Sequence, residues 1–144
     1  MALNILKLCV GAESIEHLED YIAARYKRGG PYLIMGKPFH TTRMVPKRVD
    51  EILDGGSLYW VIKGNVQCRQ KLAAIEPFID GEGISRCHLV MEREVIKTQW
   101  QPRRAFQGWR YLTETDAPRD MSAGDIAADM PANLRAELTS LGLI

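Results

Sequence analysis

The sequence predicts a single α+β domain, a curved and mostly antiparallel sheet or partly open β-barrel of roughly five to seven strands, with two to three flanking helices. Three observations carry this. A helical apolar spacing with its own cap and glycine stop lies near the start, over 14–28. Runs of alternating or β-branched and aromatic residues, separated by glycine-bearing turns, fill 57–93. A second helical spacing closes the chain over 131–141.

Taken in order, LNILKLCV at 3–10 is a short apolar run in which Lys7 is the lone charge, and it reads as a mostly buried first strand. Ser14 is placed to cap a helix to about Arg28, because Ile15, Leu18, Ile22 and Tyr26 recur at helical spacing. Acids crowd its first half, Arg25, Lys27 and Arg28 its last turn, and Gly29-Gly30-Pro31 ends it. YLIMG at 32–36 reads as a strand, and Lys37 before Pro38 keeps the following KPFHTTRM extended.

Pro46 at a first helical position, Val49, Ile52 and Leu53 on one face and Gly55-Gly56 beyond predict a two-turn helix over 46–54. SLYWVIKG at 57–64 then reads as a central strand and Gly64-Asn65 as a turn or bulge. The next strand alternates, placing Val66, Cys68, Gln70 and Leu72 on one face and Gln67, Arg69 and Lys71 on the other. DGEG at 80–83 is a hairpin turn leading into a strand over 84–93. From VIKTQW onward a loop is expected, entering a last strand near 108–112. Pro131, Leu134, Leu138 and Leu141 define the closing helix.

At 144 residues the chain is long enough to bury roughly two thirds of its unfolded surface in one core. With 46% hydrophobic and 26% charged residues it is neither disordered nor fibrous. Cys9, Cys68 and Cys87 are odd in number and form no Cys-x-x-Cys pair, so a reducing cytoplasm is expected. The N-terminus lacks the layout of a leader, and no apolar run is long enough to span a membrane.

Charge is unevenly spread. Lys plus Arg against Asp plus Glu is 4 and 4 over 1–36, 13 and 8 over 37–110, and 2 and 6 over 111–144, so the middle carries +5 and the end −4. Either the middle meets an anionic partner or the acidic end docks on it.

Four chemistries are open to these residues. A basic and aromatic surface would comprise His40, Arg43, Lys47, Arg48, Lys63, Arg69, Arg103, Arg104 and Arg110, with Tyr59, Trp60, Phe106 and Trp109 as rings. Cations that track phosphates and rings that stack on bases suit single-stranded nucleic acid, whereas rings in strands otherwise belong to the core. A nucleophile site would pair Ser57 or a cysteine with His17, His40 or His88 and an acid such as Asp54, without any recognisable motif. A metal would need Cys87 and His88, which as strand neighbours face opposite ways, together with His40 and Cys68. Gly55-Gly56-Ser57 runs helix to strand, the reverse of a phosphate loop, and is a helix stop. Gln70 and Gln107, beside Arg69 and Arg110, lie in apolar stretches and need partners, either in a structural network or on a ligand.

TRMVPKRVDEILDGGSLYWVIKG, the CRQ after it, PRRAFQGWRYL and MPANLRAELTSLGL resemble a small bacterial family, domain of unknown function 1489, over nearly the whole chain. The resemblance implies a bacterial cytoplasmic setting and no established activity. The order of short helix, Gly55-Gly56 and strand is also similar to PUA- and ASCH-type RNA-associated barrels, although GGSLYW stands where ASCH proteins carry G-x-K-x-x-E-x-R.

These readings lead to a non-catalytic domain binding RNA or another anionic, nucleotide-containing ligand through the +5 segment. The alternatives are a small enzyme on a phosphate-bearing substrate, with His40 as acid or base and Arg43, Arg69 and Arg110 as clamps, or an interaction protein whose basic surface is covered by its own tail or a second copy, as in a homodimer. No cofactor or metal is expected.

Overall fold

The computed structural model of the chain describes residues 2–121, so the helix expected over 131–141 lies outside the described residues. The elements are β1 (Leu3–Leu8), α1 (Ile15–Arg28), a 3-10 turn (Gly30–Tyr32), β2 (Phe39–Thr42), α2 (Val49–Leu53), β3 (Ser57–Ile62), β4 (Asn65–Ile79), β5 (Ser85–Met91), β6 (Ile96–Pro102) and β7 (Trp109–Thr113). They form the α+β architecture that the sequence predicts. The seven strands make one open sheet in the order β2-β5-β4-β3-β1-β7, with β6 also paired to β4. Every pairing is antiparallel except β1 with β3.

The sheet curves because its longest strand carries extra residues. Along β4 the partners run Cys68 with Trp60 and then Val66 with Val61, which leaves Gln67 as one residue too many. Against β5, Leu72 meets Met91 and Ala74 meets Val90, so Ala73 is a second. Such bulges bend and twist the strand that contains them. They also alter which residues share a face. Val66 packs on one side of the sheet with Leu6, Tyr59, Val61 and Leu112, while Cys68 and Leu72 pack on the other. The simple alternation expected over 66–72 therefore holds only from Cys68 onward.

The side on which Cys68 lies is the larger core. There Ile15, Leu18 and Ile22 of α1 and Ile52 of α2 meet Leu3, Ile5, Leu58, Trp60 and Ile62. The helix α1 begins and ends as its sequence dictates: Ser14 accepts the N–H of His17 at 3.1 Å, and Gly29, at a φ of 63°, donates to the carbonyl of Arg25 at 2.8 Å. Gly56 lets α2 press on the sheet, because a Cβ there would fall on the carbonyl oxygens of Leu3 and Ile52.

Three segments differ from expectation. The run 32–36 is not a strand but a 3-10 turn followed by a tight reversal at Met35 and Gly36, both at positive φ, with Ile34 and Lys37 exchanging two 2.9 Å backbone hydrogen bonds. Apolar content alone does not make a strand when no partner lies alongside. The second helix starts at Val49 rather than Pro46, and the N–H groups just ahead of it, those of Lys47 and Arg48, donate to the Tyr111 hydroxyl of β7 at 3.0 and 3.3 Å. The stretch expected as a loop after 95 is strand β6, which continues the course of β5 along the first half of β4, Lys97 opposite Cys68 and Asn65 opposite Pro102.

Candidate functional site

The helix side of the sheet holds a pocket with Arg25, His40 and Gln70 in its walls. The second half of α1, β2 and the centre of β3 and β4 surround a pocket of about 340 Å³ lined by Cys9, Tyr21, Arg25, Phe39, His40, Trp60 and Gln70 among others. Its geometry follows from strand alternation. Leu3, Ile5 and Cys9 of the first strand belong to the helix-side core, so Lys7 between them faces the same way, with Trp60 and Trp109 as its register partners.

His40 meets Trp60 edge to face, with ring centres 5.7 Å apart. Burial, with the charges of Lys7 and Arg25 acting in the same direction, pushes its pKa down from 6.5 to about 4. His40 is thus neutral near pH 7. Lys7 is itself held below its ordinary value, chiefly by burial. Arg25 lies over the Phe39 ring, 4.9 Å from its centre, and donates to the carbonyl of Tyr32 at 3.3 Å. Among the described residues neither Lys7 nor Arg25 has a carboxylate partner. No carboxylate lines the pocket.

Gln70 is fully buried and its amide is spoken for at both ends. Its Oε1 accepts the Trp60 indole N–H at 2.9 Å, and its Nε2 donates to the Glu92 carbonyl at 2.8 Å. This network fixes Trp60 as one wall. Cys9 lines the same pocket, but burial raises its thiol to about 11, so it is no ready nucleophile. Cys68 is buried and likewise raised.

The remaining expected residues are divided among other places. Arg69, next to Gln70, faces the opposite side, where it grips Asp120 with two 2.8 Å hydrogen bonds and reaches Ser57 Oγ at 2.7 Å. Ser57 is buried, with its N–H donated to Asn4 Oδ1 at 2.9 Å, so its hydroxyl meets a guanidinium instead of an imidazole. Arg110 lies over Phe106, 5.2 Å from the ring centre, on that same opposite side. Arg48 pairs with Glu51, and Lys63 with Glu13 at 3.9 Å. Arg103 donates to Gln101 Oε1, and Arg43, Lys47, Arg104 and Gln107 are exposed. His40, Arg43, Arg69 and Arg110 do not converge.

Of the expected rings, Tyr59, Trp60 and Trp109 are all buried, the last donating its indole N–H to the Met44 carbonyl at 2.6 Å. The exposed tryptophan is Trp100, at 58%. His88 stacks on Phe78 and bonds Thr41, while its neighbour Cys87 lies in the core. No group of three metal-ligating side chains exists among the described residues, and no helix among them is long and apolar enough to cross a membrane. Among the described residues, an acid of the last segment meets the basic middle where Asp120 pairs with Arg69.

Sequence reasoning missed Lys7, Tyr21 and Arg25 as members of a site. Lys7 was legible as the lone charge in a buried strand. Arg25 was hidden by its helical position, where a cation also complements the dipole.

No curated protein and no solved structure matches the chain. Residues 5–144 match the family described as "Protein of unknown function (DUF1489)", and to that family the chain belongs.

Proposed function

We propose that the protein is a binding domain for a small anionic, nucleotide-type ligand held in the pocket between α1 and β2. The observation that carries this is a pair of half-buried cations, Lys7 and Arg25, acting on a neutral His40 beside a pocket without carboxylates. Uncompensated positive charge in a partly desolvated place is costly, and an anion relieves it. Phe39 and Tyr21 in the walls suit a planar group beside that anion. The cations once considered for an RNA surface lie on both sides of the sheet, which favours the small-ligand form of the reading.

Calorimetric titration with adenosine monophosphate and with a short RNA tests this. Adenosine monophosphate is expected to bind, and Arg25→Ala and Lys7→Met to weaken it about tenfold or more each, the scale of a lost charge-assisted contact. Absence of binding at low salt, or binding that both variants retain in full, sinks the proposal. RNA binding lost on Arg43→Ala with Lys47→Ala and Arg48→Ala would move the site to the outer surface.

A further inference from the structure

Arg25 of α1 and His40 of β2 line this pocket, and Lys7 of β1 lies beside it, paired in register with the lining residue Trp60, its charge acting on His40. Their chemistry says more than that an anion fits. Two positive charges act on a group that can become a third. The other polar side chains that line the pocket near His40 include Cys9, whose thiol burial raises to about 11, and the Tyr21 phenol, and no carboxylate is among them. The strand β5 brings Leu89 opposite His40, β3 brings Trp60 and β4 brings Gln70, none of them charged. The carboxylates of Glu16 and Glu19 on α1 act on Cys68, and Glu92 is engaged by Lys37 at 2.9 Å.

Resting on the reading just given, we infer that the pocket selects a terminal dianionic oxyanion, that of a phosphate monoester, and takes up one proton on His40 as the ligand binds. Charge matching gives the first half. Two fixed cations balance two negative charges, which a phosphate monoester carries and a diester does not. Hydrogen bonding gives the second half. Neutral His40 offers an anion at most one N–H, whereas its cationic form donates from both ring nitrogens and adds charge. The same burial and like charges that keep His40 neutral in the empty pocket are reversed by an anion placed between them. Opposite charge within about 4–6 Å moves a pKa by roughly one to three units, enough to bring His40 into the range where it is protonated in the complex near pH 5 to 6. The proton comes from solvent and no bond is made or broken in the ligand.

Sulfate is the discriminating probe, because it stays a dianion across the range and any pH dependence then belongs to the protein. Sulfate affinity is expected to rise about tenfold from about pH 7 to about pH 5, a factor equal to one unit of linked titration. Calorimetry at about pH 5.5 in two buffers of different ionisation heat should show net proton uptake by the wild-type chain, a readout independent of any variant. His40→Gln is expected to bind sulfate without that uptake and with a flat pH profile. Adenosine monophosphate should outcompete its 3′,5′-cyclic diester by about tenfold or more, and an equal affinity for ribose 5-phosphate would assign recognition to the phosphate alone. Binding with no proton uptake, or equal affinity for monoester and diester, overturns this inference and leaves the binding reading standing. No binding of sulfate, monoester or diester at any pH removes both.

Discussion

Asp120 holds Arg69 at two points, Oδ1 to Nε and Oδ2 to Nη2, each at 2.8 Å, and so fastens the segment after β7 across the edge of β6. Around that clamp the backbone pairs as well, Gln99 donating to Arg119 at 2.7 Å and Met121 to Lys97 at 2.9 Å. The two-point geometry is specific to a guanidinium. Asp120→Asn and Arg69→Lys are each expected to destabilise by about 1 kcal/mol, a modest figure because the carboxylate is partly exposed. Hydrogen exchange should rise first at the amides of Gln99 and Met121. Unchanged protection there would show that the clamp does not hold the segment. The hydrogen bond from Arg69 lowers the pKa of Asp120, so its contribution is present above the ordinary carboxylate value of 3.8 and disappears as pH falls through the lower folded value.

His40 titrates in a different window. Its pKa falls from 6.5 to about 4 on folding, mainly through burial. The unfolded chain therefore takes up a proton that the folded one refuses. The associated stability is fully present above pH 6.5 and is lost as pH drops from 6.5 toward about 4. The limiting loss is about 3 kcal/mol. Urea unfolding of the unliganded chain at several pH values should show this decline, and His40→Gln should flatten it. An equal slope in the variant would assign the decline to other groups.

Gly56→Ala is expected to cost roughly 3 kcal/mol or more, because the new methyl would coincide with two backbone oxygens that cannot rotate away. Gly81→Ala, in open space on the hairpin loop, is the control and should lie within about 0.5 kcal/mol of the parent. Thermal unfolding of both variants decides it. A Gly56 variant as stable as the control would mean that α2 is not held against β1.

Gln70→Leu strands the Trp60 indole N–H and the Glu92 carbonyl, and about 2 to 3 kcal/mol of stability should go with them. Trp60→Phe removes one of those stranded groups in advance. The two substitutions together should therefore cost less than the sum of their separate effects, by about 1 kcal/mol. Strict additivity in denaturant unfolding would show that the Trp60–Gln70 hydrogen bond contributes nothing.

Much of the fold was legible because local chemistry and tertiary structure agree. Ser14 and Gly29 bound α1 as read, and Lys63-Gly64 turns β3 into β4 with both residues at positive φ. What escaped was set by partners far off in the chain. Tyr111 binds the backbone just ahead of α2, and β4 makes a strand of 96–102, a polar stretch with weak strand character of its own. The pocket was half legible. His40 and Gln70 stand out in sequence, but that α1 brings Arg25 over Phe39, and that β1 points Lys7 the same way, is a matter of packing. Arg69 and Gln70 emerge on opposite sides, as the alternation over 66–72 predicts.

Which of the two emerges toward α1 rests on a count rather than on an identity. One surplus residue at Gln67 sets the parity of everything after it in β4. Flattening the bulge with every residue kept would put Gln67 opposite Trp60 in place of Cys68 and exchange the sides on which the next residues emerge. The guanidinium that now clamps Asp120 would turn toward α1, and the amide that steadies Trp60 would leave the pocket. The bulge at this one point thus does as much to set the walls of the proposed pocket as any side chain in them.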